Sequence, residues 1–273
     1  MHNNMLKLTG TQRAYILLAV LFTSCVINCC AISSGFAANQ PTTQTALTAA
    51  ARLQAADEFR LDGQQARVDT EVTEFNQGTP INQRSYHVYL DGKNSLVIFK
   101  SAAETGQKML MLDQQYWLIM PRSRRPIRIT PMQKLLGQAS IGDIATLSWQ
   151  QDYRIESSQT VTLNAATPRA CLQLQLVAKT AGSSYQRITL WLAIEDNFPV
   201  RASFYLASGK LAKLADFTAG EINGKRRVVS MRLHDALQPS KATDIRYLAV
   251  TPQQLPSKYF NPVFLTRTAL EQM

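Results

Sequence analysis

Beyond residue 37 the side chains with most chemistry to offer are two histidines, one cysteine and a knot of arginines. His87, His234 and Cys171 stand far apart, none in a paired ligand spacing, whereas structural zinc needs about four ligands. No carboxylate-rich loop suits a hard cation, so neither metal nor cofactor is expected. A hydrolase elbow of the form G-x-S-x-G does not occur. Gly137-Gln-Ala-Ser140-Ile-Gly142 has the wrong spacing and lacks a strand-to-helix pattern around it. His234 and Asp235 are adjacent, and on a strand adjacent residues point to opposite faces, which separates a base from its orienter. There is no P-loop, and no G-x-G-x-x-G follows a strand. Catalysis is not expected, and both histidines read as members of half-exposed strands.

The arginines are more informative. Arg122, Arg124, Arg125 and Arg128 follow directly on Tyr116-Trp-Leu-Ile-Met120, a strand that is apolar on both faces. Apolar cover beside clustered cations suits an amphiphile, with chains in a groove and anionic head groups on the guanidinium forks. Met109, Met111 and Met120 lie close by in sequence, and methionine adapts to varied apolar partners. Any one of these side chains, like Trp117, Trp149 and Trp191, can equally be ordinary core or solvated surface.

The elements that carry these residues are mostly strands. Ala46, Ala49, Leu53, Ala56 and Phe59 recur at three- and four-residue steps, which predicts a helix from about Thr45 to Phe59, capped by Thr42 or Thr43 and ended by Asp62-Gly63. The period then becomes two. Ala66, Val68, Thr70 and Val72 alternate with Arg67, Asp69, Glu71 and Thr73, as in a half-exposed strand. Rows of the same kind recur at Tyr86–Leu90, Leu172–Leu176, Ile188–Ile194, Val200–Leu206, Val228–His234 and Thr243–Val250. Asp91-Gly92, Ser208-Gly209 and Asn223-Gly224 supply hairpin turns. This predicts an antiparallel meander. Met109–Leu112 and Tyr116–Met120 need cover on both faces: the core on one, a helix or a bound ligand on the other. Pro131–Leu136 reads as a short helix, and Gln138–Asp143 as a loop.

The first forty residues carry an export signal. Lys7 and Arg13 precede an apolar run from Ala14 to Phe22, and small residues follow from Ser33 to Ala38. Cleavage is expected after Ala37. An uncleaved anchor and lipidation at Cys25 are the other readings. Removing residues 1–37 lowers the net charge from +10 to +8 and the length from 273 to 236 residues. It also leaves Cys171 as the single cysteine, so no internal disulfide can hold the mature domain. A basic exported protein points to anionic membrane surfaces or acidic partners, and export argues against nucleic acid. The expected organisation is a signal peptide over 1–37, a linker over 38–44, one domain over 45–265 and a tail over 266–273.

The stretch from Tyr116 to Thr130, continued by Leu135-Leu-Gly-Gln-Ala-Ser-Ile-Gly-Asp143 and Asp152-Tyr153, resembles the LolA-like outer-membrane lipoprotein-sorting proteins. Leu190-Trp-Leu, Pro199-Val-Arg-Ala-Ser-Phe-Tyr, Ser208-Gly-Lys-Leu211 and Glu221-Ile-Asn-Gly224 resemble that family too. Ile141 departs from it, standing where a polar residue is usual. The resemblance implies a mostly-β (α+β) fold: a half-open, strongly curved antiparallel β-barrel with helices in its open side. It also implies a periplasmic carrier of lipid or lipoprotein acyl chains, with an inner-membrane exporter of the resistance-nodulation-division type as a partner. A sensor or adaptor without cargo, or an enzyme on the same scaffold, are the alternatives. The residues expected to form an apolar groove and its basic rim are Met109, Met111, Trp117, Met120, Arg122, Arg124, Arg125, Leu135, Trp191 and Phe204. A cleft is expected near Trp117, and a charge placed at Trp117 or Phe204 is expected to abolish lipid binding.

Overall fold

The computed structural model describes residues 47–60, 65–113, 115–129, 148–164 and 168–268. The expected signal peptide and linker, the Thr42 and Thr43 caps, the Pro131–Leu136 helix with Leu135, and the 138–143 loop lie outside these residues.

Thirteen strands among the described residues build one sheet. They are β1 (Ala66–Asn76), β2 (Thr79–Asp91), β3 (Asn94–Phe99), β4 (Lys108–Leu112), β5 (Gln115–Ile119), β6 (Ile127–Ile129), β7 (Tyr153–Leu163), β8 (Arg169–Ala178), β9 (Arg187–Ala193), β10 (Pro199–Tyr205), β11 (Leu211–Ile222), β12 (Lys225–Asp235) and β13 (Lys241–Pro252). Their spatial order is β6-β5-β4-β3-β2-β1-β13-β12-β11-β10-β9-β8-β7. The chain winds outward from β1 to a free edge at β6. It resumes at the other edge with β7 and winds back until β13 pairs antiparallel with β1. The turns are those the dipeptides announce. Asn223 and Gly224 both take positive φ, 52° and 70°, as a tight hairpin with right-handed strand twist requires.

Register aligns the apolar rows. Val68 of β1 stands opposite Val88 of β2, Val88 opposite Val97, Val97 opposite Met109, and Met109 opposite Leu118. On the other arm Ala202, Leu190 and Leu174 stand side by side. One core cluster joins residues of both arms, Val97 and Met109 with Leu174, Leu190 and Phe204. These strands are distant in the sheet order, so the sheet curls until its two arms face each other across a shared interior. Strand twist supplies the curl, and register shifts at Asp69/Thr70, Ile155/Ser157 and Thr218/Ala219 sharpen it. The edges β6 and β7 are not neighbours in the ladder, so the barrel stays half open, as expected from the resemblance.

Three short helices complete the described fold: α1 (Ala49–Glu58), α2 (Trp149–Asp152) and α3 (Pro262–Arg267). α1 begins four residues later than the spacing predicts. Thr48 is its N-cap, accepting from the Ala51 N–H at 3.2 Å. It presses Leu53 and Ala56 into the concave core, and α2 adds the fully buried Trp149.

The convex face of β2–β5 is also covered, as the doubly apolar strands require. Tyr89, Leu96, Leu110 and Trp117 form one cross-strand row there. Leu255, Leu265, Tyr259 and Phe260 from the C-terminal segment pack on it. The cover is therefore the chain's own helix. Asn261 caps α3, accepting from the Val263 and Phe264 N–H groups at 2.9 and 3.1 Å, with Pro262 at the first helical position. Lys108 closes the other end, its Nζ donating to the carbonyls of Leu265 at 3.2 Å and Thr268 at 2.8 Å. The segment read as a tail from 266 thus begins inside α3.

Candidate functional site

The concave face gathers apolar side chains from both arms of the sheet, and α1 lies in it as a plug. The plug's apolar hold is small, Leu53 and Ala56, while its polar clasps are several. Arg52 donates to the Ile194 carbonyl at 3.1 Å and to Asn197 Oδ1 at 2.8 Å. Buried Asp57 accepts from Ser148 Oγ at 3.2 Å, the Trp149 N–H at 3.1 Å and the Gln150 N–H at 2.8 Å. One carboxylate therefore ties α1 to the first turn of α2, where it meets unsatisfied backbone donors. At the far end Arg227 donates to the carbonyls of Glu58 and Arg60 at 2.9 and 2.8 Å, closing the last turn of α1. The Arg60 guanidinium lies 4.7 Å from the centre of the Trp149 ring, and Trp149 meets Phe217 edge-on at 5.8 Å.

Beside this plug the sheet leaves a chamber lined by Arg60, Val68, Thr70, Val88, Leu90, Phe217, Val228 and Tyr247. Its volume is about 20 Å³, room for roughly one water. Burial pushes the Tyr247 phenol up, with Arg60 pulling weakly the other way. The Thr70 hydroxyl is buried with no hydrogen-bond partner among the described residues. The hollow is thus apolar but largely occupied by α1, Trp149 and the strands' own side chains. A wider groove of about 500 Å³ opens at the C-terminal end of α1, lined by Ala55, Glu58, Phe59, Arg60, Asp196, Lys225, Arg226 and Arg227.

The sequence-predicted residues divide. Met109, Met111 and Phe204 face the concave interior, Phe204 against Tyr185 at 4.8 Å between ring centres. Trp117 does not. Register sets it opposite Leu110, on the convex face beneath the C-terminal segment, so the cleft expected near it is corrected to a chamber between α1 and β1, β2 and β11–β13. Trp191 also faces outward, between Gln173 and Arg201, because its neighbours Leu190 and Leu192 point in. Arg122, Arg124 and Arg125 are exposed on the β5–β6 turn, with Met120 half-buried at its start. Leu135 lies outside the described residues.

Asp57, Arg60 and Trp149 were not singled out as site residues. A signal for the first two existed: Leu53, Ala56, Asp57 and Arg60 share one helical stripe at three- and four-residue steps. Two charges on a buried stripe mark a polar clasp. The histidines are where strand alternation puts them, half-exposed on β2 and β12, and no metal-ligating cluster occurs among the described residues. Cys171 is buried, and burial raises its thiol. No described helix is long and apolar enough to cross a membrane.

A family model described only as an uncharacterized protein matches residues 91–267. No curated protein matches the sequence. Among solved structures the chain is similar to a LolA superfamily protein of Nitrosomonas europaea, at 28% identity and a TM-score of 0.71. The match covers 79% of this chain and 98% of that one. It is also similar to a protein domain of Vibrio parahaemolyticus named for outer-membrane lipoprotein sorting. There the identity is 20%, the TM-score 0.63, and the coverage 79% and 98%. With the meander, the open edge and the helical plug in view, the chain belongs to that family of uncharacterized proteins and is LolA-like.

Proposed function

We propose that the protein is an exported carrier that takes the acyl chains of a lipid or lipoprotein on its concave face, with α1 and α2 as a displaceable plug. The observation that carries this reading is the mismatch between the two sides of the hollow. The sheet offers an apolar row on strand after strand, while the plug answers with Leu53, Ala56 and Trp149, with Ala49 and Phe59 at its ends, and is otherwise held by polar contacts. An inserted chain gains about 0.8 kcal/mol per methylene, so ten methylenes contribute roughly 8 kcal/mol. Lifting out Leu53 and Trp149 costs about 2–3 kcal/mol each, and the seven clasping hydrogen bonds about 1 kcal/mol apiece, roughly 12 kcal/mol together, so about fifteen methylenes are needed to offset it. The exchange favours cargo long enough to fill the space α1 leaves. No bond is made or broken in it.

The location belongs to the same proposal: export by the 1–37 signal peptide to the periplasm, with a lipid anchor at Cys25 as the lesser alternative. So does hand-over to or from an inner-membrane exporter of the resistance-nodulation-division type, which the family resemblance alone supports. One observation favours a second reading. The chamber of about 20 Å³ is close to full, as suits an adaptor that binds a membrane partner without cargo. Mass spectrometry of organic extracts of the protein, purified from exporting cells without detergent, decides between them. About one lipid or acyl chain per protein is expected. A protein free of extractable lipid, persistently bound to a membrane protein, is the adaptor.

A further inference from the structure

The groove at the C-terminal end of α1 is lined mostly by charged side chains, yet it adjoins the chamber, and Arg60 lines both. Its walls carry four cations, Arg60, Lys225, Arg226 and Arg227, against two carboxylates, Glu58 and Asp196. The cations are not equivalent. Arg227 is committed to the carbonyls at the end of α1. Arg226 pairs with Asp196 and lies over the rings of Phe198 and Phe59, 5.1 and 5.9 Å from their centres. Lys225 is exposed beside it on the same hairpin.

We propose that this groove seats the anionic head, a carboxylate or a phosphate, of an amphiphile whose acyl chain passes Arg60 into the concave chamber. Three features combine in it. Phe59, packed edge-on against buried Phe198, gives the groove an apolar wall. Arg226 and Lys225 on the β11–β12 hairpin give charge-assisted donors at its rim. Arg60, stacked on Trp149, stands at the boundary between the two spaces. At successive positions of β12, Arg227 lines the groove and Val228 lines the chamber. The exposed turn bearing Arg122, Arg124 and Arg125 is as basic, but among the described residues it shares no lining residue with the chamber, whereas the Arg226 groove shares Arg60. The head group is thereby read by guanidinium and ammonium, the chain by the sheet, and an uncharged amphiphile loses the first of these.

This inference rests on the acyl-chain reading above, and the test separates the two. The probes are cis-parinaric acid and its methyl ester, which share one chain and differ in charge. The full mature protein should bind the acid about tenfold more tightly than the ester at low ionic strength. The advantage should shrink towards unity near 1 M NaCl. The double variant Lys225→Glu, Arg226→Gln should lose that advantage while holding the ester within about twofold of the unaltered protein, with a melting transition that stays cooperative. Extraction from phosphatidylglycerol vesicles against phosphatidylcholine vesicles then assigns the source. Preference for phosphatidylglycerol names a net anionic phospholipid head, and preference for the acid alone names a free fatty acid; both support the proposal. Equal binding of acid and ester overturns it and leaves the carrier reading standing, as does a double variant that keeps the preference. Failure of both probes to bind overturns both.

Discussion

At the scale of single residues, one carboxylate controls the plug. Asp57 is buried and receives three donors from the start of α2, so removing it orphans the Trp149 and Gln150 N–H groups and the Ser148 hydroxyl at once. Asp57→Ala should cost about 1–3 kcal/mol, which for a domain of this size lowers the melting temperature by roughly 2–12 °C. It should also speed the uptake of a fluorescent fatty acid, because the clasp that opposes opening is gone. Stopped-flow fluorescence and thermal melting on the same preparation check both effects, and slower uptake would show that Asp57 does not hold the plug shut. A second residue sets a pH dependence. His87 Nδ1 lies 2.7 Å from Asp69 Oδ1, a distance suited to an ion pair. Yet burial disfavours the imidazolium more than Asp69 favours it, and Lys100 and Arg67 push the same way as burial, so its pKa lies below the usual histidine value. At mildly acidic pH the unfolded chain then binds more protons than the folded one. Stability is fully present above the unfolded value of about 6.5 and falls as the pH drops below it. The melting temperature should decline between pH 7 and pH 5, and His87→Gln should flatten that decline; an unchanged slope would contradict the assignment.

At the scale of elements, the C-terminal segment is as much part of the fold as any strand. The row Tyr89, Leu96, Leu110 and Trp117 would face water without it. Leu265 is fully buried against that row, so Leu265→Ala should cost about 2–5 kcal/mol. Urea unfolding should show this as a lower midpoint with the slope kept, and a loss under 1 kcal/mol would mean that the segment is a loose cover. The sequence showed that these strands need two covers, because Met109–Leu112 and Tyr116–Met120 carry no polar face, but it did not show which element supplies the second. Alternation fixes which residues share a face. It does not fix which of two apolar faces is concave, because that depends on how the whole sheet curls. Phe204 was therefore legible as inward-facing from its alternating row, whereas Met109 and Met111, on a strand apolar on both faces, were not, and Trp117 and Trp191 fell on the convex side. The hairpins at Asp91-Gly92, Ser208-Gly209 and Asn223-Gly224 were legible because a positive φ selects its residues locally. The α1 stripe marks Asp57 as a clasp, but its partners at Ser148–Gln150 were not legible, because they are about ninety residues away in sequence.

At the scale of the whole molecule, the half-open barrel poses one question: whether its apolar interior is a packed core or a seat for cargo that the plug keeps closed. The topology suits the second. β1 and β13 pair in the middle of the sheet, so the chain's first and last strands hold its back together, and the two free edges, β6 and β7, can part without breaking a ladder. α1 enters from ahead of β1 and touches the core with few apolar atoms, so its departure leaves the thirteen strands paired. Amide hydrogen exchange with and without saturating fatty acid tests this most directly. Ala49–Glu58 and Trp149–Asp152 should exchange faster when the ligand is bound, while β8–β12 keep or gain protection. Bound ligand with α1 as protected as before would contradict the account.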